Sequence, residues 1–257
     1  MFATVECRDA PGGFKGFVRD IFTMPEIHIQ QVNIPSGDRF YRVVSTQYRG
    51  QMPVEETADK LKRLKKSVIF EVNFPCDEST RELEFEPKEF TAQLIFNSAL
   101  EYIKKLKIEP IKSSVAVYDP EGYYIKKISV LVPLFSKIRV YTKNISSYNN
   151  AAKELMNEYG LALVVSDVLS GKAPDCTAAI CYGEVPFNNF FNGILFTTSE
   201  KVPPCSCVIR GYGIDLPGEY ELLRPNGISQ LYFAAALYEK GGVSSLGGLS
   251  FKKLRLT

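Results

Sequence analysis

The segment Val115-Ala116-Val117-Tyr118 runs directly into Asp119-Pro120-Glu121-Gly122-Tyr123-Tyr124. An apolar strand followed by a turn and the start of a helix leaves a row of backbone N–H groups without partners, and such a row binds anions. Two chemistries compete for it. A glycine-lined turn admits a phosphate, whereas side-chain carboxylates satisfy the same N–H groups from within the chain. This stretch supplies two carboxylates, Asp119 and Glu121, and one glycine, Gly122. Asp at the first place, Pro at the second and Gly at the fourth also make a favourable turn. The expectation is therefore a strand-to-helix turn whose acidic residues occupy the helix N-terminus.

Other residues capable of chemistry are few. His28, the single histidine, sits in the strand-like run Ile27-His28-Ile29, so any histidine-based catalytic relay or metal site has to pass through it. It reads as a strand residue on a polar face. Cys176, Cys181, Cys205 and Cys207 are the one set that could hold zinc, but gaps of four residues and one residue fit a tetrahedral thiolate site poorly. They read as buried strand cysteines, and no metal is expected. Asp167 and Asp175 flank a Gly171-Lys172-Ala173-Pro174 loop and mark a location for a site beyond the strand ends.

Composition bounds the rest. The 257 residues, 45% of them hydrophobic, suffice for one large or two modest cores. With 31 basic and 29 acidic side chains the net charge is only +2, and no global field draws the chain to nucleic acid or an anionic membrane. The basic run Lys60, Lys62, Arg63, Lys65 and Lys66 closes a helix opened by Pro53-Val54-Glu55-Glu56, an order that suits the helix dipole and reads as a solvated face. The N-terminus has no basic region followed by an apolar stretch, and no apolar run approaches the length of a membrane span. Six scattered cysteines suit reduced thiols. A cytoplasmic protein without structural disulfides, nucleic-acid partner or membrane partner is expected.

The elements that position these residues follow from periodicity. Phe2 to Cys7, Ile27 to Ile34, Phe40 to Thr46 and Val68 to Val72 read as strands, punctuated by Pro11-Gly12-Gly13 and Pro35-Ser36-Gly37-Asp38. From Pro87, apolar residues at three- and four-residue spacing (Phe90, Leu94, Ile95, Ala99, Ile103) predict a long amphipathic helix. Strand 115–118, a helix from Gly122 to Phe135, strand 138–141, a helix capped at Ser146 or Ser147 and stopped at Gly160, and strand 161–165 form parallel β-α-β units. Short strands follow at 176–181, 194–198 and 207–209, then a helix from Ile228 to Glu239 and a tail with Gly-containing turns. The expected domains are an N-terminal α/β unit, residues 1–86, and a Rossmann-like unit, residues 87–257.

On this order of elements, residues 88 to 170 resemble the nucleotide-binding domain of shikimate-dehydrogenase-like and related Rossmann oxidoreductases. The resemblance implies a G-x-G-x-x-G loop and a ribose-reading residue at the end of the second strand. Asp119, Glu121 and Tyr124 fall where the three glycines would be, and two carboxylates there repel a pyrophosphate. Thr142 and Lys143, at the end of the second strand, resemble a reader of a 2′-phosphate. Two functions follow. One is a Rossmann-like protein with a degenerate dinucleotide loop and no cofactor, which binds or scaffolds an unknown small molecule or protein partner. The alternative is an NADP-dependent oxidoreductase with an atypical phosphate loop.

Overall fold

The structure, a computed structural model, describes residues 1–10, 12–22, 25–167, 171–210, 213–243 and 255–256. The chain divides into two compact units, Met1–Pro87 with Ile214–Ser250, and Lys88–Gly213 with Phe251–Thr257.

The first unit begins with β1 (Phe2–Arg8), α1 (Gly13–Phe22), β2 (Ile27–Asn33), β3 (Arg39–Thr46), α2 (Val54–Leu64), β4 (Ser67–Phe70) and α3 (Glu78–Arg81). Its sheet has the order β2-β3-β1-β4. β1 runs parallel to both neighbours and β2 pairs antiparallel to β3. The central position of β1 explains its unbroken burial from Phe2 to Val5, where three apolar residues and Thr4 lie inside on both faces. On one face Ala3, Val5, Val43 and Val68 meet Leu61 of α2.

The second unit comprises α4 (Glu89–Leu106), β5 (Ser114–Tyr118), a 3₁₀ stretch Ile125–Leu131, β6 (Lys137–Tyr141), α5 (Ile145–Tyr159), β7 (Leu163–Ser166), β8 (Ala178–Cys181), β9 (Phe191–Thr197), β10 (Cys205–Arg210) and β11 (Arg255–Leu256). The sheet order is β11-β10-β9-β8-β5-β6-β7, with β5 to β10 mutually parallel and β11 antiparallel at the edge. Counted from β5, the parallel strands follow the doubly wound order 3-2-1-4-5-6, and the direction of winding reverses between β5 and β8. The expected α/β class with a Rossmann-like sheet is present.

The two faces of this sheet are covered differently. Val115, Val117, Ile138 and Val140 point toward α4 and α5, where they join Phe96, Tyr148 and Leu155 in one core. Ala116, Tyr118, Ala179 and Leu195 point the other way and are covered by loop residues such as Phe187. After β7 the second unit has no helix among the described residues.

The chain then supplies α6 (Gly218–Glu221) and α7 (Gln230–Lys240) to the first unit. This differs from the expected continuous unit 87–257, and the reason is aromatic. Phe233 of α7 lies edge-on to Phe2 and Phe40, with ring centroids 5.9 and 5.5 Å away, while Phe2 and Phe40 stack at 5.1 Å. A helix with Phe233 to Leu237 all buried needs apolar cover, and this sheet face provides it.

Three local expectations change. The helix expected from Gly122 to Phe135 is a 3₁₀ stretch, because β-branched Ile125, Ile128, Val130 and Val132 crowd a helix and Pro133 closes it. The cap of α5 is Asn144, not Ser146 or Ser147. α1, unforeseen, begins at Gly13, the second of the glycine pair read as a turn. The tail turns fall outside the described residues, as does Pro11. Among the described residues no helix is long and apolar enough to cross a membrane.

Candidate functional site

The carboxyl end of β5 is where a doubly wound sheet opens a crevice, beside the reversal of winding toward β8. The ladder continues one residue past the strand, with the Asp119 N–H donating to the Tyr141 carbonyl at 2.9 Å. The chain then turns, and Gly122 N–H reaches the Asp119 carbonyl at 3.3 Å. Gly122 has φ +84°, and a Cβ there would come within 2.9 Å of Asn144 Nδ2 and Ile125 Cδ1. The positive φ favours glycine at this position, and a side chain there would also have to push aside the ends of Asn144 and Ile125.

The Asp119 side chain folds back into the turn it begins. Its Oδ1 accepts from the N–H groups of Gly122 at 3.0 Å and Tyr123 at 2.9 Å. Its Oδ2 accepts from Tyr124 N–H at 2.8 Å and from the Tyr148 hydroxyl at 2.5 Å. Asp119, Tyr124 and Tyr148 are all fully buried. Three successive N–H groups and a phenol form an anion cradle, and the anion in it is the protein's own carboxylate. Burial, then the charge of Asp119, push the Tyr148 phenol above its ordinary value, which keeps it a neutral donor.

Neighbouring residues hold the cradle in place. Tyr124 stacks on Phe96 at 4.7 Å and donates its hydroxyl hydrogen to the Ala92 carbonyl at 3.0 Å. Gln93 Nε2 donates to the Tyr123 carbonyl at 2.7 Å. α4 thus grips the turn from one side and α5, through Tyr148, from another. Across the reversal point, Tyr123 lies edge-on to Tyr182, the residue after β8, with centroids 5.6 Å apart. Two half-buried tyrosines therefore meet where a crevice ligand would lie.

The remaining residues singled out from sequence have separate places. Glu121 is exposed, and its part in the turn is its carbonyl, which accepts from Asn144 Nδ2 at 2.8 Å. The expectation that both carboxylates satisfy the helix start holds for Asp119 alone. Thr142 is fully buried and its hydroxyl oxygen accepts from Asn144 N–H at 3.0 Å. Lys143 is exposed. Asp167 follows the carboxyl end of β7, whereas Asp175 precedes the amino end of β8, so these two aspartates lie at opposite ends of the parallel sheet.

Cys181 lies on β8, Cys205 and Cys207 lie on β10 with β9 between, and all six cysteines are free. Burial pushes the Cys176 thiol up to about 12. Among the described residues, no group of three His, Cys, Asp or Glu could hold a metal ion. His28 is exposed on β2 against Glu26, 2.5 Å away. Sequence reasoning missed Tyr148, Gln93 and Tyr182. A tyrosine four residues past the α5 cap is a signal for the first, since it sits one turn into the helix and faces the preceding strand.

No protein-family model matches this chain. No curated protein is similar to it in sequence at a significant level. Among solved structures it is similar to the L-tryptophan dehydrogenase from Nostoc punctiforme, at 12% identity over 97% of this chain and 76% of that one, with a TM-score of 0.31. A likeness at that level carries no inference about ligand or reaction.

Proposed function

We propose that this chain is a Rossmann-like protein whose dinucleotide loop is degenerate, and that it acts as a binding or scaffold protein without hydride transfer. One observation carries the reading. The N–H groups of Gly122, Tyr123 and Tyr124, where such a fold takes a pyrophosphate, are already bonded to the buried Asp119 carboxylate. A phosphate would have to displace a carboxylate that also holds Tyr148, and would meet like charge if it approached without displacing it. The rival reading, an NADP-linked oxidoreductase, rests on Thr142 and Lys143. The Thr142 hydroxyl is engaged with Asn144, so that reading gains no support from it. On the spacing of its cysteines the protein belongs to the reducing cytoplasm.

Titration of the purified chain with NAD, NADP and adenine nucleotides, followed by intrinsic tyrosine fluorescence and thermal shift, tests the reading. No saturable change is expected at micromolar to millimolar ligand. Micromolar binding of NADP that weakens on Lys143→Ala overturns it.

A further inference from the structure

The face of the second unit's sheet that carries Ala116 is covered by loop residues over β5, β8 and β9, and a cavity opens on it toward β7. There Ala116, Arg139 and Val164 stand side by side in register across β5, β6 and β7. After β7 the second unit has no helix among the described residues, and Val164 is 48% exposed. The space above is a cavity of about 470 Å³ at the amino ends of the strands, within the size range of small-molecule sites. It lies at the opposite end of β5 from the Asp119 turn. Leu161, Val164, Ala116 and Pro174 give it apolar walls.

Its charges have one sign in excess. Arg139 and Lys137 line it against a single carboxylate, Asp175. Arg139 makes a long contact of 3.4 Å with the Tyr141 hydroxyl, and among the described residues no carboxylate pairs with it. A guanidinium placed on a strand between alanine and valine, with its fork of donors largely unspent, matches a planar carboxylate. Two cations set against the Asp175 carboxylate suit a ligand of single negative charge better than a polyphosphate, whose further charges would lack partners.

We propose that this cavity binds a small carboxylate with an apolar body, the carboxylate on Arg139 and the body against Val164, Leu161 and Pro174. The site is independent of the Asp119 turn, so its failure and the failure of the degenerate-loop reading are separate results.

Calorimetric titration of the full chain with phenylacetate, phenylethanol and phenethylamine tests it, because the three share a body and differ in charge. Phenylacetate binds saturably at millimolar concentration or below, and the alcohol and amine bind at least about tenfold more weakly. Arg139→Gln weakens phenylacetate by about tenfold or more, as expected for a lost charge-assisted pair. Val164→Trp fills the cavity and removes binding, while urea unfolding shows that each variant is folded. Absence of phenylacetate binding, equal binding of the amine or alcohol, or an unchanged affinity in Arg139→Gln overturns the proposal. A dimer that Val164→Trp dissociates, with no carboxylate binding, overturns it in favour of a second copy on this face.

Discussion

The Tyr148 hydroxyl donates to the Asp119 carboxylate at 2.5 Å, and neither residue has any exposure to solvent. Two residues 29 apart in sequence thus close a cradle that three backbone N–H groups begin. A buried carboxylate is tolerable only when its lone pairs are met, and here four donors meet them.

Asp119→Ala leaves those donors unpaired in a closed site. It should cost about 3–5 kcal/mol of stability, read from urea unfolding. Asp119→Asn should cost less, because its amide oxygen still accepts while its NH₂ faces a donor. Asp119→Gly empties the cradle for an external anion. Its melting temperature should rise with millimolar inorganic phosphate more than that of the wild type, by mass action on the folded state.

Tyr148→Phe removes one bond to a charged acceptor and should cost about 1.5–3 kcal/mol near neutral pH. Its pH dependence is distinctive. The folded-state pKa of the phenol is raised, so its stabilisation is whole below the unfolded-state value of about 10 and fades as pH climbs from there toward the folded value. In that window the unfolded chain has lost a proton that the folded chain keeps. Wild-type stability should therefore fall faster than that of Tyr148→Phe above pH 10, by up to about 1.4 kcal/mol per pH unit. Parallel slopes in paired denaturation curves between pH 8 and pH 11 would refute this, with the pH limits set by the ordinary tyrosine value of about 10.

Gly122→Ala places a methyl group 2.9 Å from Asn144 Nδ2 and Ile125 Cδ1 at a φ of +84°. The expected loss is about 1–3 kcal/mol. Far-ultraviolet circular dichroism of the folded variant should stay close to wild type, since the strain is confined to the turn.

Phe233→Ala tests the composition of the first unit. Removing a fully buried ring that meets Phe2 and Phe40 should cost about 3–5 kcal/mol. Hydrogen exchange should show faster opening at the β1 and β3 amides, the strands that carry those two partners. Unchanged protection there would mean that α7 is not a working part of that core.

Much of this was legible in the sequence where the signal is local. Asp-Pro-x-Gly announced a turn through its own backbone preferences, and Asp119 sits in it as that chemistry dictates. The strands of the second unit were legible because parallel strands buried on both faces are short apolar runs. Partners distant in sequence were not. Nothing in Tyr148 names Asp119, and nothing in Tyr182 names Tyr123, because the reversal of winding that brings β8 beside β5 is a property of the whole sheet. Glu121 looked equivalent to Asp119, but its side chain emerges on the solvent side of the turn. α1 was hidden by its glycine pair, although Phe14, Phe17, Val18 and Ile21 carry helical spacing; Phe14, Phe17 and Ile21 are exposed, so packing did not impose it.

The return of α7 to the first unit sets an order of events on the ribosome. Phe2 and Phe40 leave the exit tunnel early, yet the ring that covers them belongs to residue 233. Until residue 233 has been synthesised, the mixed sheet β2-β3-β1-β4 stands with an aromatic face bare. Synthesis proceeds at about 5–20 residues per second, so that face waits on the order of ten seconds or more for its cover. The unit that begins first in the chain is completed only after residues 88–213 of the other have been made, and a chain truncated before α7 would leave it open.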